Sequence, residues 1–242
     1  MQRHRFFAPP DQINHSLITL DPDESHHLSR VLRLSAGATV FAFDGLGTEY
    51  ECEVAEVNKK SVSLKIITPV VEPVESHLNL TLGQAILQND KFDLIVQKAT
   101  ELGVTRIVPL VTEFCEFRKI TGNEQRLQRW KKIALEATKQ CGRRIVPVIA
   151  EPQTFADFCQ QQSNSLCLIF SEQGGGKLSS LPSANSVSVV IGPKGGWSKS
   201  ELAIAEENNF TPIYLGNRIL KAETAAITAT ALLQLQFGDL SL

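Results

Sequence analysis

Arg218, Lys221 and Glu223 fall close together near the end of the chain, inside the stretch G-N-R-I-L-K-A-E-T that runs from Gly216 to Thr224. They offer a permanent cation, a second cation and a carboxylate, and Asn217 adds an amide. Cations and hydrogen-bond donors of this kind stabilise negative charge that develops on a substrate, while a carboxylate accepts a proton or orients the arginine fork. The same residues also suit a plainer role, in which Glu223 offsets the positive end of a helix and Arg218 and Lys221 stay solvated. Charge alone does not separate the two readings.

A short strand over Ile213 to Leu215 carries the chain into Gly216, and a helix of small residues opens at Glu223 and Thr224. Two earlier strands end in the same way. Leu166 to Phe170 runs into S-E-Q-G-G-G, and Val187 to Ile191 runs into G-P-K-G-G-W, after which Ser198 caps a helix with Glu201 completing a capping box. From Leu78 onward strands alternate with helices, which predicts an α/β domain with a largely parallel sheet. Its other elements are strands at Leu78 to Ile86, Thr105 to Val111 and Ile145 to Ile149, a helix capped by Asn89 or Asp90, one from Asn123 to Cys141, and a short one from Phe155. Pro147 marks Ile145 to Ile149 as an edge. In such sheets ligands bind outside the carboxyl ends of the strands. The three glycine-bearing breaks therefore form the candidate pocket: Phe170, Ser171 and Glu172; Ile191, Gly192, Pro193, Gly195 and Gly196; Leu215, Gly216, Asn217, Leu220, Thr224 and Ala225. No loop has G-x-G-x-x-G spacing, and G-G-G-K is followed by Leu178 rather than Ser or Thr, so a triphosphate cradle is unsupported. Loops of main chain and apolar residues suit an adenine ring and ribose instead.

The first seventy residues read as strands, with runs at Thr39 to Phe43, Glu49 to Val57 and Val62 to Ile67 making a small barrel or curled sheet. A helix starts at Asp21-Pro22-Asp23-Glu24 and carries Leu28, Val31 and Leu32 on one face, leaving Arg30 and Arg33 for an anionic partner. The arm Arg3-His4-Arg5-Phe6-Phe7 combines cations with rings that could stack on a base, and equally fits an edge strand with both Phe residues in the core. Pro69 and Pro73 punctuate a linker, so the expected division is 1–72 and 73–242. Although the net charge is −2, the segment from Arg118 to Arg144 holds nine basic residues, Arg118, Lys139 and Arg143 among them, against two acidic ones. A phosphate-rich partner is the sharp reading and a solvated helix face the plain one.

At 43% apolar residues the chain can build a real core, and it contains no apolar run of the roughly 20 residues that cross a bilayer. Met1 to Asp11 lacks a signal-peptide core, which predicts a cytoplasmic protein. The five cysteines are odd in number and widely spaced without a C-x-x-C pair, so neither a disulfide framework nor a metal site is expected.

These loops, together with Q-K-A-T-E-L-G-V-T-R-I-V-P-L at 97–110, E-A-T-K-Q-C-G-R-R at 136–144, R-H-R-F-F near the start and H-H-L-S-R-V-L-R-L at 26–34, resemble the ribosomal RNA small subunit methyltransferase E family of SPOUT methyltransferases. The resemblance covers nearly the whole chain. It implies a PUA-like β-barrel that binds RNA, a trefoil-knotted α/β domain, a homodimer, S-adenosylmethionine as methyl donor, no metal, and methylation of N3 of a uridine in the decoding region of 16S rRNA within the small ribosomal subunit. Arg218, Lys221 and Glu223 become the catalytic candidates, and Arg3, Arg5, Arg30, Arg33, Arg118, Lys139 and Arg143 the RNA-binding ones. Two positions depart from the family pattern: Lys194 stands where G-P-E-G-G has Glu, and Lys221 where L-R-x-E-T has Arg. Together the two lysines remove a Glu–Arg pair and leave that wall of the pocket more positive.

Overall fold

The structure, a computed structural model, describes residues 3–58, 61–71, 75–88, 90–115, 124–162 and 165–241. It divides into two compact units, one of residues 1–75 with 138–146, the other of 76–137 with 147–242.

In the first unit six strands, β1 (Arg5–Phe7), β2 (Ile13–Asn14), β3 (Leu17–Thr19), β4 (Thr39–Phe43), β5 (Glu49–Val57) and β6 (Val62–Pro69), pair in the order β1-β4-β5-β6-β3-β2. The β1–β4 pair is parallel and the rest are antiparallel. Register shifts between Glu51 and Cys52 and between Val54 and Glu56 curl the long β5–β6 ribbon. Alternation along the strands sends Phe6, Ile18, Val40, Ala42, Val54 and Leu64 into one apolar core with Leu28. Asp21 caps α1 (Pro22–His26) by accepting from the Glu24 amide at 2.8 Å. The helix then widens into a π turn over His27–Val31, closed by the Leu32 amide on the His27 carbonyl at 2.9 Å. That extra residue per turn breaks the 3.6 period. Leu28 stays buried, whereas Val31, expected on the same face, is 62% exposed.

Residues 138–146 belong to this unit through long-range polar contacts. Arg5 donates to Glu49 at 2.6 Å and to the carbonyls of Thr138, Lys139 and Arg143 at 3.1, 2.9 and 2.7 Å. Arg144 reaches the other oxygen of Glu49 at 3.2 Å, and Glu75 accepts from Arg143 Nε and from the amides of Arg144 and Ile145 at 2.9, 2.8 and 2.9 Å. Lys139 pairs with Glu24 at 2.6 Å.

In the second unit the strands β7 (Asn79–Ala85), β8 (Arg106–Val111), β9 (Val148–Ile149), β10 (Gln153–Thr154), β11 (Leu166–Phe170), β12 (Ser186–Ile191) and β13 (Thr211–Ile213) form a wholly parallel sheet in the order β10-β8-β7-β12-β11-β13, with β9 also on β8. The helices are α2 (Asp90–Glu101), α3 (Glu124–Cys141), whose last turn falls in the first unit, α4 (Phe155–Gln160), α5 (Lys199–Glu207) and α6 (Ala222–Phe237). Central strands covered on both faces need continuous apolar runs, and β12 is buried at every position from Val187 to Ile191. The expected strand Ile145 to Ile149 is present only as β9. Pro147 lacks an amide proton and marks the change of unit: Val146 donates to Gly45 at 3.0 Å in the first unit, and Val148 donates to Thr105 at 3.0 Å in the second. Ser198 and Glu201 form the capping box at the start of α5.

Candidate functional site

The carboxyl ends of β7, β11, β12 and β13 all open on one cavity of about 500 Å³ in the second unit. Phe170, Ser171 and Glu172 line it from the loop after β11, and Ile191, Gly192, Pro193 and Gly196 from the loop after β12. Leu215, Gly216, Leu220 and Ala225 contribute from the segment joining β13 to α6. Loops that reach the same place from separate strands need cross-ties. Trp197 supplies one by donating its indole N–H to the Phe170 carbonyl at 2.9 Å. The Tyr214 amide supplies another, donating to the Gly176 carbonyl at 3.3 Å, so the loop after β11 runs beside the end of β13. This pairing turns the chain earlier than expected: β13 ends at Ile213, and Tyr214 and Leu215 belong to the pocket wall.

Two glycines explain how main chain lines the cavity. A Cβ on Gly192 would sit 3.1 Å from the Trp197 ring, so backbone packs where a side chain would press on the indole. Gly196 has φ of +72°, and a Cβ there would sit 3.2 Å from Glu172 Oε1. The resulting cradle is apolar along Phe170, Ile191, Ile213 and Leu215, and charged at Lys91, Glu172, Lys194, Arg218, Lys221 and Glu223.

Arg218, Lys221 and Glu223 are thus brought to one wall. Arg218 and Lys221 are exposed, while Glu223 is half-buried in the first turn of α6. The nearest cation to Glu223 is Lys91, at 4.0 Å, from the first turn of α2. Sequence reasoning missed Lys91 and its neighbour Leu87, because the end of β7 carries no glycine to announce it. The rule that parallel strands present ligands at their carboxyl ends applies to β7 as much as to the other three and was the available signal. Three expected pocket residues are not on its wall. Gly195 turns away, a Cβ there meeting Phe114 at 2.9 Å; Asn217 accepts from the Tyr214 hydroxyl at 2.9 Å; and Thr224 is exposed on α6. Among the described residues there is no cluster of His, Cys, Asp or Glu able to hold a metal ion.

The candidate RNA-binding cations divide. Arg3, Arg30 and Arg33 are exposed. Arg5, Lys139 and Arg143 are not surface cations: their side chains are 8%, 10% and 6% exposed and bind Glu49, Glu24 and Glu75. Burying a charge demands a matched partner, and these have one, so their place is in the interior of the first unit. Arg118 lies outside the described residues. On α3, Leu127, Trp130, Ala134 and Ala137 are buried as the period predicts, and Lys131 and Lys132 are exposed.

Two families of known domains match this chain. The RNA methyltransferase domain family matches residues 74–234, and the RNA methyltransferase PUA domain family matches 20–67. The ribosomal RNA small subunit methyltransferase E of Buchnera aphidicola (subsp. Schizaphis graminum) is 34% identical over 95% of this chain and 94% of its own. That of Rickettsia conorii is 32% identical over 97% and 96%. The crystal structure of a ribosomal RNA small subunit methyltransferase E from Neisseria gonorrhoeae bound to S-adenosyl methionine superposes with a TM-score of 0.92, at 32% identity over 99% of this chain and 100% of that one.

Proposed function

Since the chain belongs to the ribosomal RNA small subunit methyltransferase E family, with an α/β methyltransferase domain and a PUA domain, we propose that it methylates N3 of a uridine in the decoding region of 16S rRNA, with S-adenosylmethionine bound in the cavity at the strand ends. The observation that carries this reading is the cradle itself: main chain of three loops, closely packed at Gly192 and Gly196, around about 500 Å³. That volume falls within the range of small-molecule pockets. The donor supplies an electrophilic methyl on a sulfonium, and everything else falls to the protein.

Uridine N3 carries a proton that must leave before the nitrogen attacks. The charge then spreads onto the two flanking carbonyl oxygens, and cations aimed at them lower the barrier. Arg218 is the first candidate, since its planar fork also orients the ring, and Lys221 assists. Glu223, which lies 4.0 Å from Lys91, is the carboxylate for the proton. Gly195, Asn217 and Thr224 support the loops rather than touching the donor.

In this reading the exposed Arg3, Arg30 and Arg33 bind the RNA backbone, and the protein works in the cytoplasm on the small subunit. It does so as a homodimer. Ala226 and Ala229 are buried against the subunit's own core, while Ala225, Thr228, Leu232 and Leu235 follow a helical period on a partly exposed face of α6, which suits a second copy. The order β12-β11-β13, with the loop after β11 lying beside Pro212 and Ile213, is compatible with the trefoil threading implied by the family.

The test is to incubate unmethylated small subunits with the protein and labelled donor, then digest the RNA to nucleosides. Label in 3-methyluridine, from one site, is the expected result. Label in any other nucleoside, or none, overturns the proposal. Light scattering that gives a monomer at micromolar concentration removes the dimer.

A further inference from the structure

Four cations and two carboxylates line the pocket: Lys91, Lys194, Arg218 and Lys221 against Glu172 and Glu223. The cations come from three separate segments, the first turn of α2, the loop after β12 and the segment before α6. Only Lys91 has a carboxylate within ion-pairing distance; among the described residues Lys194, Arg218 and Lys221 have none. Ile219, 82% exposed, stands between these cations on the same lip. An excess of two positive charges is an odd surrounding for the methyl donor, whose sulfonium, ammonium and carboxylate leave it one net positive charge. It suits the product better, because S-adenosylhomocysteine has lost the sulfonium charge.

We infer that Lys91, Lys194, Arg218 and Lys221 form an anion subsite at the pocket mouth that takes a phosphate of the substrate RNA, and that filling it raises affinity for the cationic donor more than for its neutral product. The inference rests on the cofactor reading above. Its physical basis is Coulombic. Like charges several ångströms apart in a solvated cleft repel enough to weaken binding about three- to tenfold at low salt, and salt screens that repulsion. A phosphate seated among the lysines replaces repulsion with attraction and places Ile219 against the nucleotide it carries. RNA therefore binds first and recruits the donor.

Calorimetric titration of donor and product at low and high salt tests this on the parent, Lys194→Gln and Lys194→Glu. The readout is the ratio of the two affinities, which cancels general damage to the pocket. In the parent the preference for S-adenosylhomocysteine should be about three- to tenfold larger than in Lys194→Glu, with Lys194→Gln between them, and should shrink as salt rises. Saturating unmodified 16S rRNA should raise donor affinity more than product affinity in the parent, and less so in Lys194→Glu. A ratio unchanged by either substitution, by salt or by RNA overturns the subsite while leaving the cofactor assignment standing. If neither compound binds the parent, the cofactor assignment itself fails.

Discussion

The two units treat the same residue types in opposite ways. In the first, Arg5, Lys139, Arg143 and Arg144 are buried, and each lies against Glu24, Glu49 or Glu75. In the second, Lys194, Arg218 and Lys221 ring a cavity with charge to spare. Matched charges in a low-dielectric interior fix geometry, whereas unmatched charges on a wet rim bind something else. The difference teaches that a basic segment states nothing about nucleic acid until its carboxylates are located.

Breaking a matched cluster should have the largest effect. Glu49 holds Arg5 and Arg144 at once, and its side chain is 3% exposed. Glu49→Ala leaves two buried guanidinium groups short of a partner, and should lower unfolding free energy by about 3–5 kcal/mol in urea titration. Lys194→Ala, on the wet rim, should stay within about 0.5 kcal/mol of the parent. Equal losses at both positions would erase the distinction between the units.

The rim answers in rate rather than stability. Arg218→Ala should slow the single-turnover step by about 10²- to 10³-fold at saturating RNA and donor, while the unfolding midpoint stays close to the parent. A mutant that loses RNA affinity but keeps its rate at saturation makes Arg218 a binding residue only. Gly196→Val bears on the same wall. A branched side chain at φ of +72°, directed at Glu172, should weaken donor binding at least about tenfold in calorimetry, and unchanged affinity would remove the loop after β12 from the cofactor site.

Much of this was legible in the residues. The bounds of β4, β5 and β11, the Asp21 cap and the Ser198–Glu201 capping box follow from local patterns, and the structure has them where the patterns put them. What was not legible depends on partners far along the chain. Arg5 finds Glu49 after 44 residues, Arg143 finds Glu75 after 68 and Lys139 finds Glu24 after 115, so a charge count confined to one segment holds the cations without the acids that pair with them. Val31 points outward because a π turn spoils the period, a matter of hydrogen bonding that the apolar pattern does not record. Lys91 joins the pocket through the parallel sheet, by way of β7, and its neighbours in sequence carry no sign of it.

Burial without pairing gives an intermediate effect in both units. Cys52 in the first and Cys159 in the second are free thiols pushed up to about 12 by burial, aided by Glu51 beside Cys52 and by Cys167 and Glu201 near Cys159. Because the folded thiol resists ionisation and the unfolded one does not, stability is intact below the ordinary value of 9.0 and is lost as pH rises from there towards 12. Each thiol should contribute a loss of about 1 kcal/mol per pH unit in that window. Comparing denaturation at pH 8 and pH 10.5 for the parent and for Cys52→Ala isolates one of them. A pH dependence as steep in the variant as in the parent refutes the assignment.

The smallest effect should come from the exposed arginines of the first unit. Arg30 and Arg33 stand at the end of the π turn, and Arg33 adopts φ of +55°. Neither forms an ion pair among the described residues, so a phosphate would meet a hydrated cation at little desolvation cost. Each phosphate contact releases counterions and adds somewhat less than one unit to the slope of log affinity against log salt. Replacing both arginines by alanine should therefore make the slope for 16S rRNA shallower by about one to two units, leaving donor affinity and fold stability unchanged. Lys139→Met is the matched control, since its ammonium is already committed to Glu24 at 2.6 Å. Its removal should lower stability and leave the salt slope as in the parent, with folding verified by circular dichroism before binding is measured. If Lys139→Met flattens the slope and the arginine pair does not, the RNA-facing and interior cations have been assigned the wrong way round, and the contrast between a matched interior and an unmatched surface no longer describes the first unit.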